Sequence, residues 1–279
     1  ESVHVQPFNI PQGHVKGENF EHIGDRGVTF AGSPRTNIID YVTISTPGNA
    51  TDFGDLTEPV MKSAATSNGA NDRAVINLGY NNSNQVVNAL EYITVTTTGN
   101  STDFGDMTVP RFAAHFVSNG PNERGVIGGC DNPGHLVAKN TLDYITISTT
   151  GDASSFGSLP DYRWGASSLS NGVNDRGIIA GGSPVPTAAI NQIDYITISA
   201  LGDSSDFGDL VAANFYQAGL SSDIEERGII AGYTNSIDFI TISSPGNAAD
   251  FGDVIGTPAW PAGFSSGVNQ RGIIAGGDP

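Results

Sequence analysis

The chain has 279 residues, of which 36 are glycine and 15% are charged, and it carries a net charge of -17. So negative a balance excludes nucleic acid as a partner and disfavours anionic membrane surfaces, because both demand clustered Lys and Arg. The single cysteine, Cys130, excludes an internal disulfide framework, and no apolar run is long enough for a membrane-spanning helix.

Residues 1–24 contain one alternating piece, Ser2-Val3-His4-Val5-Gln6, followed by Pro11, Gly13 and Gly17, so a single strand and an irregular connection are expected there. From Asp25 a phrase recurs, clearest as Asn174-Asp175-Arg176-Gly177-Ile178-Ile179-Ala180-Gly181-Gly182. Its arginines are Arg26, Arg73, Arg124, Arg176, Arg227 and Arg271, in steps of 47, 51, 52, 51 and 44 residues. A second phrase follows the first five copies, as in Asp194-Tyr195-Ile196-Thr197-Ile198-Ser199, headed elsewhere by Asp40, Glu91, Asp143 and Asp238. A third carries a Phe-Gly pair at Phe53, Phe104, Phe156, Phe207 and Phe251, with turn formers such as Pro47-Gly48-Asn49 before it.

Each unit therefore divides into four short extended segments. Segment A is rich in small residues, B is the Arg-Gly-aliphatic phrase, C is the alternating Asp-Tyr-Ile-Thr-Ile-Ser phrase, and D surrounds the Phe-Gly pair. Four strands per period of about 50 residues predict a blade of a β-propeller. The expectation is an all-β single domain over 1–279, with repeats over 25–277. Six B segments against five C and D segments predict six blades, with five as the alternative. Six require one more C strand, which Ser2-Val3-His4-Val5-Gln6 would supply, so that the two termini share a blade and lock the ring.

The order Arg163-Trp164-Gly165-Ala166-Ser167, Arg176 to Gly182 and Ile193-Asp194-Tyr195 resembles the kelch repeat, with an arginine-led inner strand, a double glycine and an aromatic on the third strand. It departs from that pattern where the Phe-Gly phrase replaces a late tryptophan. The wording of the C and D phrases resembles repeats of predicted tail-fibre and other virion proteins of marine phages. That resemblance implies a virion location, with other virion proteins or a host surface glycan or protein as partners.

Six of the 12 Lys and Arg residues occupy the B position. A residue repeated in every unit most simply serves what every unit needs, so these arginines are expected to be structural clamps to a carboxylate or carbonyl, with an anion-binding ring as the alternative. The Asp-Phe-Gly-Asp spacing would suit calcium, but the third copy reads Ser155-Phe156-Gly157-Ser158, and a solvated turn is the simpler reading. The expectation is therefore no cofactor, calcium being the sole candidate.

The five histidines show no metal-ligand spacing, no Gly-x-Ser-x-Gly elbow exists, and no catalytic residue is expected. In an up-and-down blade the B-to-C and D-to-A loops share one rim, and here that rim varies while the other repeats. Its off-pattern residues Tyr80, Arg111, His135, Tyr162, Arg163, Trp164, Tyr216, Tyr233 and Trp260 are the candidate binding surface. The expected function is a non-enzymatic binding module, against the alternatives of a purely structural virion propeller and, third, a carbohydrate-active enzyme.

Overall fold

The computed structural model describes residues 26–275, apart from 33, 68–71, 121–122, 131–139, 171–173, 185–187, 223–225, 258–260 and 267–270. The expected strand at Ser2 to Gln6 lies outside the described residues. Every pairing is antiparallel, and no α-helix occurs among the described residues. Blade 1 contains β1 (Arg26–Phe30), β2 (Thr36–Thr43) and β3 (Thr51–Met61). Blade 2 contains β4 (Ala64–Ser67), β5 (Arg73–Asn77), β6 (Tyr80–Asn81), β7 (Ala89–Thr94) and β8 (Thr102–Asp106). Blade 3 is β9 (Phe112–Ser118), β10 (Arg124–Cys130), β11 (Thr141–Thr146) and β12 (Ser154–Ser158), and blade 4 is β13 (Ser167–Ser170), β14 (Arg176–Ala180), β15 (Ile190–Thr197) and β16 (Ser205–Asn214). Blade 5 is β17 (Ala218–Ser221), β18 (Arg227–Gly232), β19 (Thr234–Thr241) and β20 (Ala249–Asp253). Of blade 6 the described residues form β21 (Ala262–Ser266) and β22 (Arg271–Ala275). The protein is a β-propeller.

The strand period is visible in burial. On β11 and just beyond it, Asp143, Ile145 and Ile147 are buried while Thr146 is exposed. Such alternating faces stack blade on blade, giving cores between successive blades: Ile39, Phe53 and Leu56 against Ile76 and Ile93, and likewise Leu169, Ile178 and Phe207 against Ile230 and Ile240. Each aliphatic side chain buried in this way contributes about 1.5–3 kcal/mol.

Two contacts close the ring. Arg271 on β22 donates from Nη1 to the carbonyls of Ile44 and Ser45, both at 3.0 Å, 227 and 226 residues away in the chain. A Cβ on Gly27 would collide with the ring of Phe264 on β21, as one on Gly177 would meet Val117 and one on Gly228 would meet Leu169. Blade 6 therefore stands between blades 5 and 1, and the ring has six blade positions. Among the described residues the sheet of blade 1 has the order β1-β2-β3-β6, because β6 of blade 2 pairs with Val60 and Met61 at the end of β3.

Candidate functional site

The repeated Asp-Arg or Glu-Arg dipeptide holds two turns at once. The acidic residue sits in the left-handed region, with φ 54° at Asp72, 58° at Glu123, 51° at Asp175 and 54° at Glu226. From there its carbonyl accepts the N–H at the end of its own blade's third strand, for example Val95 at 2.8 Å and Ile198 at 2.8 Å. Its carboxylate caps the next residue: Asp72 accepts from Thr96 and Asp175 from Ser199. The arginine turns the other way, to the next blade. Arg26 donates to Val95 O at 2.8 Å, Arg73 to Ile147 O and Ser148 O, Arg124 to Ile198 O and Ser199 O, and Arg176 to Ile242 O at 2.7 Å. Each guanidinium also lies over the aromatic ring of its own third strand, 4.2 Å from Tyr41, 4.2 Å from Tyr92, 4.7 Å from Tyr144 and 4.4 Å from Tyr195. The acceptors are carbonyls, and the preceding carboxylates are engaged elsewhere.

Arg111 and Arg163 do not face the rim. Both are buried, and each forms an ion pair with the third-strand acid of the following sheet strand set: Arg111 Nη2 to Asp143 at 3.1 Å, and Arg163 to Asp194. They stand 13 residues before Arg124 and Arg176, in register with Val60 before Arg73 and Asn214 before Arg227, and all four are buried. Each is a plug under the D-to-A corner. Arg111 donates to Gly129 O and Thr141 Oγ1, and Asn214 donates to the corresponding Gly232 O and Thr234 Oγ1. Two of the plugs pair with an acid, Asn214 pairs with a carbonyl and a hydroxyl, and Val60 is apolar, so the variation here accompanies buried packing. Burial opposes charge at these acids and pushes the carboxyls of Asp194 and Asp238 up from the usual range. His115 is also buried, and burial first, then Arg111 and Arg163, hold its imidazole down at about 3.

Two residues further along, the rim does open. Lys62, Ala113, Gly165 and Tyr216 each precede a B-phrase arginine by 11 residues, and all four are left-handed, with φ of 57°, 46°, 64° and 57°. They pass a backbone hydrogen bond from blade to blade: Ala113 N to Lys62 O at 2.9 Å, Gly165 N to Ala113 O at 3.4 Å, Tyr216 N to Gly165 O at 2.7 Å. Around this inner ring the aromatics form an arc. Tyr80 tilts against Phe112 at 4.8 Å, with Lys62 Nζ 5.8 Å and 5.6 Å from the two rings. Trp164 packs against the Tyr80–Phe112 group and meets Phe215 at 6.1 Å and Tyr216 at 5.1 Å. Phe215 in turn lies 4.3 Å from Tyr233, which is 43% exposed.

The structure thus brings Tyr80, Trp164, Tyr216 and Tyr233 together, with Tyr80 itself buried in the stack. Tyr162 is half-buried outside these ring contacts. His135 and Trp260 lie outside the described residues. Lys62 and Phe215 complete the arc, and the constant 11-residue spacing to the next arginine was the available signal for the corner.

Burial, then neighbouring Tyr233, push the Tyr216 phenol up to about 12, so its hydroxyl keeps its proton at any working pH. Trp164 Nε1 and Gln217 Oε1 are buried without a partner among the described residues. The shallow hollows beside the C-to-D hairpins, lined by Tyr41 to Thr51 and by Tyr92 to Thr102, lie on the other rim and recur with the repeat. Among the described residues no three His, Cys, Asp or Glu side chains gather as a metal site, and no helix is long and apolar enough to cross a membrane.

No protein-family model matches the chain, and no curated protein matches it in sequence. Among solved structures it is similar to one described as "Structure of YjhT", with a TM-score of 0.69 and 14% identity over 91% of this chain and 88% of that one. At that identity the likeness bears on the fold alone.

Proposed function

We propose that the protein is a non-enzymatic binding module whose variable rim recognises a glycan or protein on a host surface, as a kelch-like virion or tail-fibre component. The observation carrying this reading is the aromatic arc from Tyr80 through Trp164 and Tyr216 to Tyr233, laid across blades 2 to 5 on a rigid ring. Flat rings with polar edges suit stacking on a sugar or a partner side chain. The test is glycan-array and host-surface binding by Tyr216→Ala and Tyr233→Ala, which should lose binding at unchanged melting temperature. Binding that survives both, but is abolished by changes at Asn100 and Asp152 on the opposite rim, would refute the choice of face.

A further inference from the structure

The aromatic arc is not equally open along its length. Tyr80 and Phe112 are buried, Trp164, Phe215 and Tyr216 are half-buried, and Tyr233 is 43% exposed. The open end is the corner between blades 4 and 5. There the crossing that leaves β16 runs along the start of β19: Val211 donates its N–H to Asp238, and Asn214 Nδ2 donates to Gly232 O and Thr234 Oγ1, at 3.1, 3.2 and 3.2 Å. Val211, Ala212 and Ala213 on that crossing are exposed, Val211 by 56%.

The corner is built from uncharged sequence. From Leu210 to Ser222 and from Gly228 to Ile237 the chain has no Asp, Glu, Lys, Arg or His, whereas the three earlier crossings bear Glu58 and Lys62, then Arg111, then Asp161 and Arg163. Asp238, the acid that the crossing meets, is buried and accepts from Val211 and from Ser236 Oγ.

Tyr216 is seated here by the neighbouring blade. Its N–H donates to Gly165 O at 2.7 Å, its ring meets that of Trp164 at 5.1 Å and 68°, and a Cβ on Gly165 would stand 2.6 Å from its Cδ1 and 2.7 Å from its Cε1. Gly165 shares its left-handed backbone with Lys62, Ala113 and Tyr216 in the same register, none of them glycine, so its missing side chain serves the tyrosine ring and not the turn. Tyr233 stands 6.2 Å from Tyr216 at 70°, so one ring offers a face and the other a flanking wall.

We infer that this corner is the ligand platform, that its ligand is an uncharged glycan, and that Gly165 is a positioning residue for it; the inference rests on the binding reading above. A carboxylated, sulfated or phosphorylated sugar would bring its charge out of water against a corner with no exposed cation among the described residues, and the net charge of -17 opposes its approach. A stable protein interface takes about 20–30 residues a side, whereas the apolar surface here comes from Val211, Ala212, Ala213 and the rings of Phe215, Tyr216 and Tyr233. An uncharged sugar asks only for a ring face against its C–H groups and polar edges for its hydroxyls.

The experiment applies the full 279-residue chain to an array that pairs uncharged glycans with their carboxylated, sulfated and phosphorylated counterparts, and then measures one uncharged hit by calorimetry. Binding to the uncharged members alone is expected, with a Kd that changes less than about twofold between about 0.05 and 0.5 M salt. Gly165→Ala keeps a backbone that Ala113 already adopts but displaces Tyr216, so it should weaken that binding roughly tenfold. Its cost in melting temperature should disappear in a Tyr216→Ala background, as it would not if the glycine served the turn. Preference for charged glycans, affinity that falls steeply with salt, or wild-type binding by Gly165→Ala would overturn the inference and leave the binding reading standing. Host-surface binding that survives glycan removal but not protease would also overturn it, in favour of a protein partner. An array blank in both sets overturns it as well, and host-surface binding then decides whether the wider reading stands.

Discussion

Arg176→Met tests whether the arginine ring ties blade to blade. The side chain donates to Ile242 O at 2.7 Å on blade 5 and lies 4.4 Å over Tyr195 on its own blade. The bond is part-buried and Tyr195 is half-buried, so the lost charge-assisted bond costs about 1–2 kcal/mol and the lost stack about 0.5–1 kcal/mol. Methionine retains the apolar stem, so packing loss adds little. A total of about 2 kcal/mol lowers the melting temperature by about 4–8 °C in a chain of this size. Scanning calorimetry reads the shift, and a double-mutant cycle with Tyr195→Leu isolates the stack. A shift below about 1 °C would refute the clamp. So would loss of a binding activity at unchanged stability, since the guanidinium would then belong to a ligand.

Arg163→Met strands the buried Asp194 carboxylate and should cost about 3–5 kcal/mol by urea unfolding, most of which Arg163→Met with Asp194→Leu should restore. Gly105→Ala, at φ 140° with Gly151 O in the way of a Cβ, should destabilise by more than Gly252→Ala at φ 143° in open space, and paired melting curves check the order. His115 stays neutral in the fold down to about 3 while the unfolded chain takes up a proton below 6.5. That contribution is whole above 6.5 and is lost as pH falls, by about 1.4 kcal/mol per unit. His115→Gln should flatten the decline in stability between pH 6.5 and 4.5, and an unchanged slope would show that other groups cause it.

The repeat made the blade legible because each phrase states its own geometry. Alternation in Asp143 to Ser148 declares a strand, and the Phe-Gly pair declares a glycine that must touch the next turn. The candidate surface was legible only in part. Arg111 and Arg163 vary among units and carry charge, which on a loop rim reads as recognition. The fold instead buries them 13 residues before the B arginines, where Val60 and Asn214 fill the same corner. Sequence variation alone does not separate a plug matched to a local acid from a side chain matched to a ligand, because both escape the repeat. Register separates them: two positions later the backbone is left-handed in each of these four units, and Lys62 and Tyr216 there are half-buried where the plugs are fully buried.

The same register explains why an acidic chain spends half of its few cations on B strands. A left-handed Asp or Glu fixes the third-strand turn of its own blade, and the arginine after it fixes that of the next, so the turns of blades 2 to 5 are each held from two sides by consecutive units. Coupling of this kind travels around the ring without long-range electrostatics, since each bond ends on a carbonyl a few ångströms away.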